Sequence, residues 1–316
     1  MLSFRRKRDP DDPSGLSGFS VLSDLSSFLR LVVEYGMDTT EGIAGVNEGV
    51  TGAGTVRRYV GQTSRLEDDL LPIEEPLQIR MAGEDVVVTM RTPGHDNELA
   101  AGFLFTEGII DGRAHIESIA YCLDDTADDA LSPNVINVNP TDRDLVDPRR
   151  WQRNMFASSS CGVCGKVSIE QVQVGRVYPP RQDKHRVELE TLYTLPDKIK
   201  QAQTGFMQTG GLHAAALFTA DGELLVLRED VGRHNAVDKV VGYALMADML
   251  PLENHVLVVT SRASFEIVQK ALAAGVRVMA TMSAPTNLAV EMARQGGITL
   301  VAFLRDERCN VYAGEL

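Results

Sequence analysis

Cysteine, tryptophan and long apolar runs are all scarce in this sequence, and each scarcity excludes a class of protein. The 316 residues include only four cysteines and one tryptophan. Four thiols in so long a chain do not form the disulfide framework of a small secreted domain. No apolar stretch is long enough to cross a bilayer. We therefore expect a cytoplasmic protein with no membrane anchor.

Basic residues are also in deficit. Lysine and arginine total 31 against 44 acidic residues, which gives a formal net charge of -13 and a pI near 5.0. Since binding along a nucleic acid needs a basic surface, we do not expect nucleic acid as a partner. A local basic pocket for a small phosphate ligand remains compatible with this composition.

The N-terminal segment lacks the features of a secretory signal. Arg5–Arg8 is followed by acidic residues and prolines, and Asp24 and Arg30 interrupt the apolar residues that come next. We interpret residues 1–55 as a poorly structured extension that ends in a Gly/Thr-rich linker over 42–55.

The densest reactive chemistry lies in Ser158–Lys166, which contains Cys161-Gly162-Val163-Cys164. A thiolate at the start of a helix and near a cation has a lowered pKa, and Ser160 as N-cap with Lys166 one turn on would supply both. A zinc half-site, a disulfide or a buried pair are the other interpretations. A zinc ribbon is excluded, because the chain has no second Cys-X-X-Cys.

Alternating apolar residues and turn signals predict an α+β lobe over residues 56–157. Its elements are a hairpin (Leu77–Met81 and Asp85–Met90), a helix with Asp96 as N-cap and Gly108 as its stop, and strands at His115–Leu123 and Val135–Val138. The acidic loop over 124–129 is expected to be a solvated turn. The cluster from His95 to Glu98 is typical of capping or of a metal site, and the sequence leaves both open.

Residues 158–316 predict an α/β domain that begins with the Cys-X-X-Cys loop. Five helices are predicted: a short one through Ile169 and Val172, one that begins after Asn235, and Asp197–Phe206, Phe265–Ala274 and Leu288–Arg294. Five strands are predicted: His213–Thr219, Leu224–Arg228, His255–Val259, Val276–Ala280 and Ile298–Phe303. This alternation favours a parallel sheet. The polar octet Arg228–Asn235 is expected to lie outside the core, since burying it without partners is costly.

Three polar loops follow the last strands, at the edge where open α/β sheets bind ligands. They are Thr260–Ser264, Ser283–Thr286 and Arg305–Arg308. Ordinary capping by Ser261 and Ser283 explains two of the loops separately. It does not explain why the loops also carry Arg262, Arg305 and Arg308, which suit a phosphate or a nucleotide.

From about Arg57 to the end, the chain resembles the formate dehydrogenase accessory sulfurtransferases, the FdhD family. The matching motifs are Arg91–Gly94 with Asn97–Leu104 and Glu107-Gly108, Ser158–Lys166, Thr209–Gly211 with His213, Glu229–Lys239, Ser261–Glu266 and Ser283–Thr286. Several long motifs in one order are far more specific than a lone Cys-X-X-Cys.

The resemblance implies a cytidine-deaminase-like α/β/α domain with a smaller N-terminal α+β lobe, usually as a homodimer. It implies a sulfurtransferase that accepts sulfur from a cysteine desulfurase and passes it to the bis-molybdopterin guanine dinucleotide cofactor of formate dehydrogenase. Cys161 would carry the persulfide and Cys164 would assist or resolve it. The cofactor would contact the segment formed by Phe303, Leu304, Arg305, Asp306, Glu307 and Arg308.

We add hypotheses for the residues around these motifs. Lys166 favours the Cys161 thiolate, and His213 and His234 position the cofactor or move a proton. Ser261, Ser283 and the arginines would bind the nucleotide phosphates, because a planar guanidinium matches phosphate oxygens. Cys122 and Cys309 are expected to be ordinary residues.

Three alternatives stay open. A zinc deaminase would use His115-Ile116-Glu117 with the cysteine pair, but Ser160 replaces its usual proline and His115 indicates a strand. A non-catalytic cofactor chaperone would need the arginine loops but not the thiols. A thioredoxin-like oxidoreductase lacks the rest of its pattern.

Overall fold

The computed structural model describes residues 49–123, 131–145 and 187–316, and all of them fall within one compact unit. Five of the expectations above lie outside these ranges: the extension up to residue 48, the acidic loop, the thiol segment Ser158–Lys166, the helix that follows it and the domain boundary at 157/158. They stay predictions. None of the helices in the described ranges is long and apolar enough to span a bilayer.

The N-terminal part of this unit holds two antiparallel hairpins and a helix. The first hairpin, β1 (Thr51–Val60) and β2 (Thr63–Pro72), is a two-stranded sheet of its own. A four-stranded sheet follows in the order β4-β3-β6-β5, from β3 (Glu75–Met81), β4 (Glu84–Arg91), β5 (Ile116–Leu123) and β6 (Leu131–Pro140). Helix α1 (Asp96–Thr106) comes directly after β4.

The C-terminal part is built on a six-stranded sheet in the order β12-β11-β10-β9-β7-β8. Its strands are β7 (His213–Thr219), β8 (Leu224–Asp230), β9 (His255–Val259), β10 (Val278–Thr281), β11 (Thr299–Arg305) and β12 (Arg308–Ala313). Its helices are α2 (Leu189–Ala202), α3 (Thr204–Thr209), α4 (Arg233–Met246), α5 (Phe265–Ala273) and α6 (Asn287–Gly296). Only β9, β10 and β11 run parallel, so the expected parallel sheet is in fact mixed.

Two hydrophobic cores lie on opposite faces of the six-stranded sheet. On β7, Ala215 and Leu217 contribute to the larger core with α1, α4, α5 and α6, whereas Ala216 and Phe218 contribute to the smaller one with α2. This alternation follows from the two-residue period of a strand. The result is a three-layer α/β/α arrangement, which confirms the predicted mixed α/β class. The finer likeness to cytidine deaminases stays a prediction.

Helices α1 and α4 approach so closely that only glycine fits at their crossing. A Cβ atom on Gly102 would lie 1.9 Å from the carbonyl oxygen of Asp238, and one on Gly242 would lie 1.8 Å from that of Glu98. These positions tie the N-terminal helix to the first helix after β8. The buried polar residues described below surround this crossing.

Most predicted elements are present with small shifts at their ends, but three expectations are wrong and some elements were not predicted. Strand β1 begins at Thr51, inside the expected linker, and the β1–β2 hairpin and β12 were missed. Helix α2 begins eight residues earlier than Asp197 and contains Pro196. The N-cap of α1 is His95, with Asp96 already helical. The predicted stop is confirmed, because Gly108 adopts the left-handed conformation just after α1.

Candidate functional site

The three polar loops predicted from the sequence lie side by side at the carboxyl edge of β9, β10 and β11. The amide of Phe303 donates to the carbonyl of Ser283 at 3.1 Å. The hydroxyl of Thr281 donates to the carbonyl of Ser261, and Ala263 pairs with Pro285. We call these loops, together with the N-terminus of α4, the carboxyl edge.

Both predicted histidines lie at this edge. Strand β7 runs antiparallel to β9 and therefore begins there, so His213 is close to Thr260, whose hydroxyl accepts from the amide of Ala214 at 2.9 Å. Burial, reinforced by Arg233, lowers the pKa of His213, so its ring is neutral near pH 7. His234 is buried at the start of α4, with Nε2 3.9 Å from Oε2 of Glu266 on α5.

Three helices begin at the carboxyl edge, and their N-caps differ from the prediction. The caps of α4, α5 and α6 are Gly232, Ser264 and Thr286, and only Thr286 accepts a capping bond, from the amide of Ala289. Ser261 and Ser283 are not caps, since each lies three residues too early. The first amides of α4 and α5 have no side-chain cap, and such amides are suited to an anion.

Several arginines at this edge lack an acidic partner. Within the described ranges, Arg262 and Arg305 are exposed and Arg233 is half-buried, and none of them forms an ion pair. Arg308 is 3.5 Å from Asp306. Arg233 was not assigned a role from the sequence, although its position directly after a glycine at a helix start was visible there. A chain of net charge -13 therefore presents a local basic surface.

The segment from Phe303 to Arg308 forms a tight hairpin turn under backbone strain. Arg305 pairs with Arg308, and the two residues between them, Asp306 and Glu307, have φ of 48° and 53°. Phe303 also lies in the left-handed region, at φ 54°. Non-glycine residues there cost roughly 1–2 kcal/mol each, and strain of this kind clusters at functional sites.

The same segment requires one correction. Leu304 is fully buried in the smaller core, so its side chain cannot contact a ligand without leaving that core. A cavity of about 770 Å³ lies between the turn and α2, lined by residues that include Asp197, Asp306 and Glu307. Since carboxylates repel phosphate, this cavity does not suit a phosphate group. The arginines of the carboxyl edge suit it better.

Other polar residues, several of them in the motifs above, form a buried set of ion pairs and hydrogen bonds around the α1–α4 crossing, which we call the inner network. Its members are Arg91, Thr92, Asp96, Thr106, Asp230, Asn235, Asp238, Lys239 and Lys270. Arg91 donates to Asp96 at 2.9 Å and to Glu75 at 3.1 Å. Lys239 lies 2.7 Å from Asp230, which also accepts from the amide of Thr92.

The inner network contradicts the expectation that the octet Arg228–Asn235 lies outside the core. Asp230, His234 and Asn235 are at most 5% exposed. They can be buried because partners compensate them, such as Lys239 for Asp230 and the carbonyl of Met90 for Asn235. Glu98 in turn binds Arg228 through two bonds, at 2.5 and 2.7 Å. Asp96 and Glu98 are therefore held by arginines, and His95 is the N-cap residue of α1 without a side-chain capping bond.

A second lysine closes the network on α5. Lys270 donates to Asp238 at 2.9 Å and to Thr106 at 3.0 Å, and Thr106 donates to Asp238 at 2.7 Å. Burial raises the pKa of Asp238 to about 6, and Lys270 opposes that rise. All of these atoms are enclosed by helices, so the cluster holds α1, α4 and α5 together rather than facing a ligand.

The predicted thiol residues Cys161, Cys164 and Lys166 lie outside the described ranges. The two cysteines within them, Cys122 and Cys309, are half-buried free thiols. Burial raises the pKa of Cys309, which makes its thiolate scarce at neutral pH. Of the residues in the deaminase alternative, Ile116 and Glu117 lie on β5 as expected, but His115 ends a 3-10 turn (Arg113–His115) and is not part of the strand.

Comparison with known proteins matches residues 72–316 to the model of the FdhD/NarQ family. Sulfur carrier protein FdhD of Mycolicibacterium paratuberculosis is 52% identical over 247 residues, which cover 77% of this chain and 90% of that protein. Sulfur carrier protein FdhD of Sulfurisphaera tokodaii is 40% identical over 255 residues, covering 79% and 92%.

The fold is also found in a solved structure. It is described as a proposed formate dehydrogenase accessory protein from Desulfotalea psychrophila, and it aligns with a TM-score of 0.65 over 84% of this chain and 98% of that chain. At 23% identity, this likeness shows a shared fold alone.

Proposed function

Because this chain belongs to the FdhD/NarQ family, we propose that it is a sulfurtransferase that carries sulfur to the bis-molybdopterin guanine dinucleotide cofactor of a formate dehydrogenase. The sulfur comes from a cysteine desulfurase and travels as a persulfide on Cys161. The names of the relatives support sulfur transfer. The unpaired arginines beside uncapped helix starts support an acceptor that carries phosphates.

The carboxyl edge would hold the guanine nucleotide end of the acceptor substrate. Arg233, Arg262 and Arg305 would bind its phosphates, with the first amides of α4 and α5 as further donors. The strained turn at Asp306-Glu307 would border the nucleotide, and the neutral ring of His213 would donate or accept one hydrogen bond. Ser261, Ser283 and His234 complete the proposed set.

Each step of the thiol chemistry balances with the two cysteines, and a dithiol reductant then returns their disulfide to two thiols for the next cycle. The Cys161 thiolate attacks the outer sulfur of the desulfurase persulfide, that S–S bond breaks, and the desulfurase cysteine leaves as a thiolate. Attack of Cys164 on Cys161 then forms a disulfide and releases the outer sulfur as hydrosulfide. Lys166 would favour both thiolates by its charge.

The partners and location follow from the same proposal. A cysteine desulfurase and a formate dehydrogenase would both bind this protein in the reducing cytoplasm, where the thiols stay available between cycles. The homodimer implied by the family resemblance belongs to this proposal as well.

Sulfur loading is tested by incubating the full chain with a cysteine desulfurase and cysteine, followed by mass spectrometry of the peptide that contains Cys161. We expect one added sulfur atom on that peptide, and none there in a Cys161→Ala variant. Cys122→Ala is the matched control and should load normally. No added sulfur on the wild-type peptide, with a donor that loads another acceptor, would overturn the transferase. Cys161→Ala supporting full formate dehydrogenase activity would instead favour a non-catalytic cofactor chaperone.

A further inference from the structure

Two neighbouring helices at the carboxyl edge begin with nearly the same backbone geometry but with different hydrogen bonding. Their N-cap residues are Ser264 for α5, at φ -88° and ψ 170°, and Thr286 for α6, at φ -89° and ψ 158°. Thr286 uses its hydroxyl as an N-cap residue does, accepting from the amide of Ala289 at 3.3 Å. Ser264 accepts no such bond, although its side chain carries the same hydroxyl group.

The hydroxyl of Ser264 has no hydrogen-bond partner in the part of the chain that the structure describes, and its oxygen is buried. A buried polar atom without a partner costs free energy, so each case calls for an explanation, such as a bound ion or a catalytic role. The hydroxyl of Ser261, which the sequence predicts as the cap, is different, because it donates to the carbonyl of Arg262 at 3.2 Å.

The first amides of α5 are also without acceptors. The helix has nine residues, and its first helical bond runs from the amide of Val268 to the carbonyl of Ser264 at 3.2 Å. Within the described ranges, the amides of Phe265, Glu266 and Ile267 donate to no acceptor. Three N–H donors and one hydroxyl therefore lie together at one helix start, and nothing on the described chain satisfies them.

The charges around this helix start favour an anion. Arg262 lies two residues before Ser264, is exposed and, in the described ranges, forms no ion pair. The acidic residue in the first turn of α5, Glu266, does not cap the helix. Its carboxylate is directed toward α4 instead, since Oε2 lies 3.9 Å from Nε2 of His234. The positive end of the α5 dipole is therefore open to a ligand.

We propose that Ser264 is a further binding residue of the carboxyl edge, and that its hydroxyl donates to a phosphate that also accepts from the first amides of α5. Such charge-assisted bonds are short and strong, and they compensate the donors that the fold leaves unpaired. The residue as a whole is only partly buried, and a serine hydroxyl turns between staggered positions, so a ligand at the edge can engage it. The inference rests on the proposed function, in which this edge holds the phosphates of the acceptor.

Calorimetric titration of guanosine diphosphate into the full chain, with urea unfolding of the same variants, tests the inference. Ser264→Ala should weaken binding about tenfold, through loss of one hydrogen bond to a charged group. Its urea midpoint should match that of the wild type, because no capping bond is lost. Thr286→Ala removes an existing capping bond and should lower the midpoint. Ser64→Ala, at an exposed position on β2, is the binding control and should bind as the wild type does.

Ser264→Asp separates a ligand contact from damage to the helix. Aspartate is a strong N-cap residue, so this variant should raise the urea midpoint while its carboxylate abolishes binding by repelling phosphate. Unchanged affinity in Ser264→Ala would overturn the inference, and so would a loss of affinity that comes with a lowered midpoint. A wild type that binds no guanosine diphosphate would overturn the nucleotide assignment of the whole edge as well. Sulfur loading of Cys161 is measured separately and distinguishes these failures from that of the sulfur carrier.

Discussion

The inner network and the carboxyl edge are the two polar regions of this protein, and they differ in how their charges are compensated. In the inner network Lys239 and Asp230 are no more than 1% exposed and lie 2.7 Å apart. At the carboxyl edge Arg262 and Arg305 are exposed and, in the described ranges, have no acidic partner. The first arrangement stabilises a fold, and the second leaves charge available for a ligand.

The difference separates structural motifs from binding motifs within one family pattern. The motif around Arg91 and the motif around Asp230 join the segment before α1 to the end of β8, through a contact such as that of Thr92 with Asp230, 138 residues apart. The motifs around Arg262 and Ser283 instead lie just after β9 and β10, in the loops of the carboxyl edge. Substitutions in the inner network should therefore lower stability, and those at the edge should lower ligand affinity.

The largest effect is expected from Lys239→Met. It keeps most of the side-chain volume but leaves Asp230 buried without its cation, which typically costs about 3–5 kcal/mol. Urea unfolding should show that loss of free energy of unfolding. Lys200→Met, at an exposed position on α2, is the control and should change stability by less than about 0.5 kcal/mol. If Lys239→Met and Lys200→Met lowered the free energy of unfolding equally, the buried lysine would contribute no more to stability than an exposed one, and the structural role of the inner network would be contradicted.

A smaller effect is expected from pH acting on Asp238. Its folded pKa of about 6 lies above the ordinary 3.8, so the folded state holds this proton more tightly than the unfolded chain. The contribution of the group to stability is therefore greatest at low pH and falls as pH rises through 6. Asp238→Asn removes this dependence.

Other groups titrate alike in wild type and in Asp238→Asn. The difference between their free energies of unfolding therefore reports the Asp238 carboxyl alone. Urea unfolding at about pH 4.5 and pH 7 should show the stability advantage of the wild type shrinking by about 2 kcal/mol at the higher pH. An advantage that grows with pH would show that Lys270 lowers the Asp238 pKa more than burial raises it. The control is Asp221→Asn, in the exposed turn between β7 and β8.

The smallest effect on stability is expected from Arg262→Ala. The side chain is exposed and unpaired, so its loss should change the free energy of unfolding by less than about 0.5 kcal/mol. Thermal unfolding of the variant should follow that of the wild type. A loss of several kcal/mol would show that Arg262 belongs to the folded framework and not to a binding surface.

The sequence was sufficient for the elements whose signals are local. The stop at Gly108 and the order of the predicted strands and helices from His255 to Phe303 are confirmed. The carboxyl-edge loops could also be placed, because a loop that follows a buried strand must lie at the sheet edge. Their role in binding stays a prediction.

The predictions are wrong where the burial of a residue depends on partners that are distant in the sequence. Asp230 and Asn235 have the composition of a surface turn, and only Lys239 with Thr92 and Met90 makes their burial possible. The β1–β2 hairpin was missed because its apolar side chains are exposed on both faces and three acidic residues, Glu67–Asp69, interrupt its second strand.

The account is tested most directly by calorimetric titration of guanosine diphosphate, a fragment of the proposed acceptor, into the full chain. We expect wild type to bind, and Arg262→Ala to bind about tenfold more weakly through loss of a charge-assisted hydrogen bond. Arg80→Ala, on the four-stranded sheet, should bind as wild type does. No binding by the wild type, or equal affinities for all three proteins, would contradict the assignment of the carboxyl edge to the nucleotide.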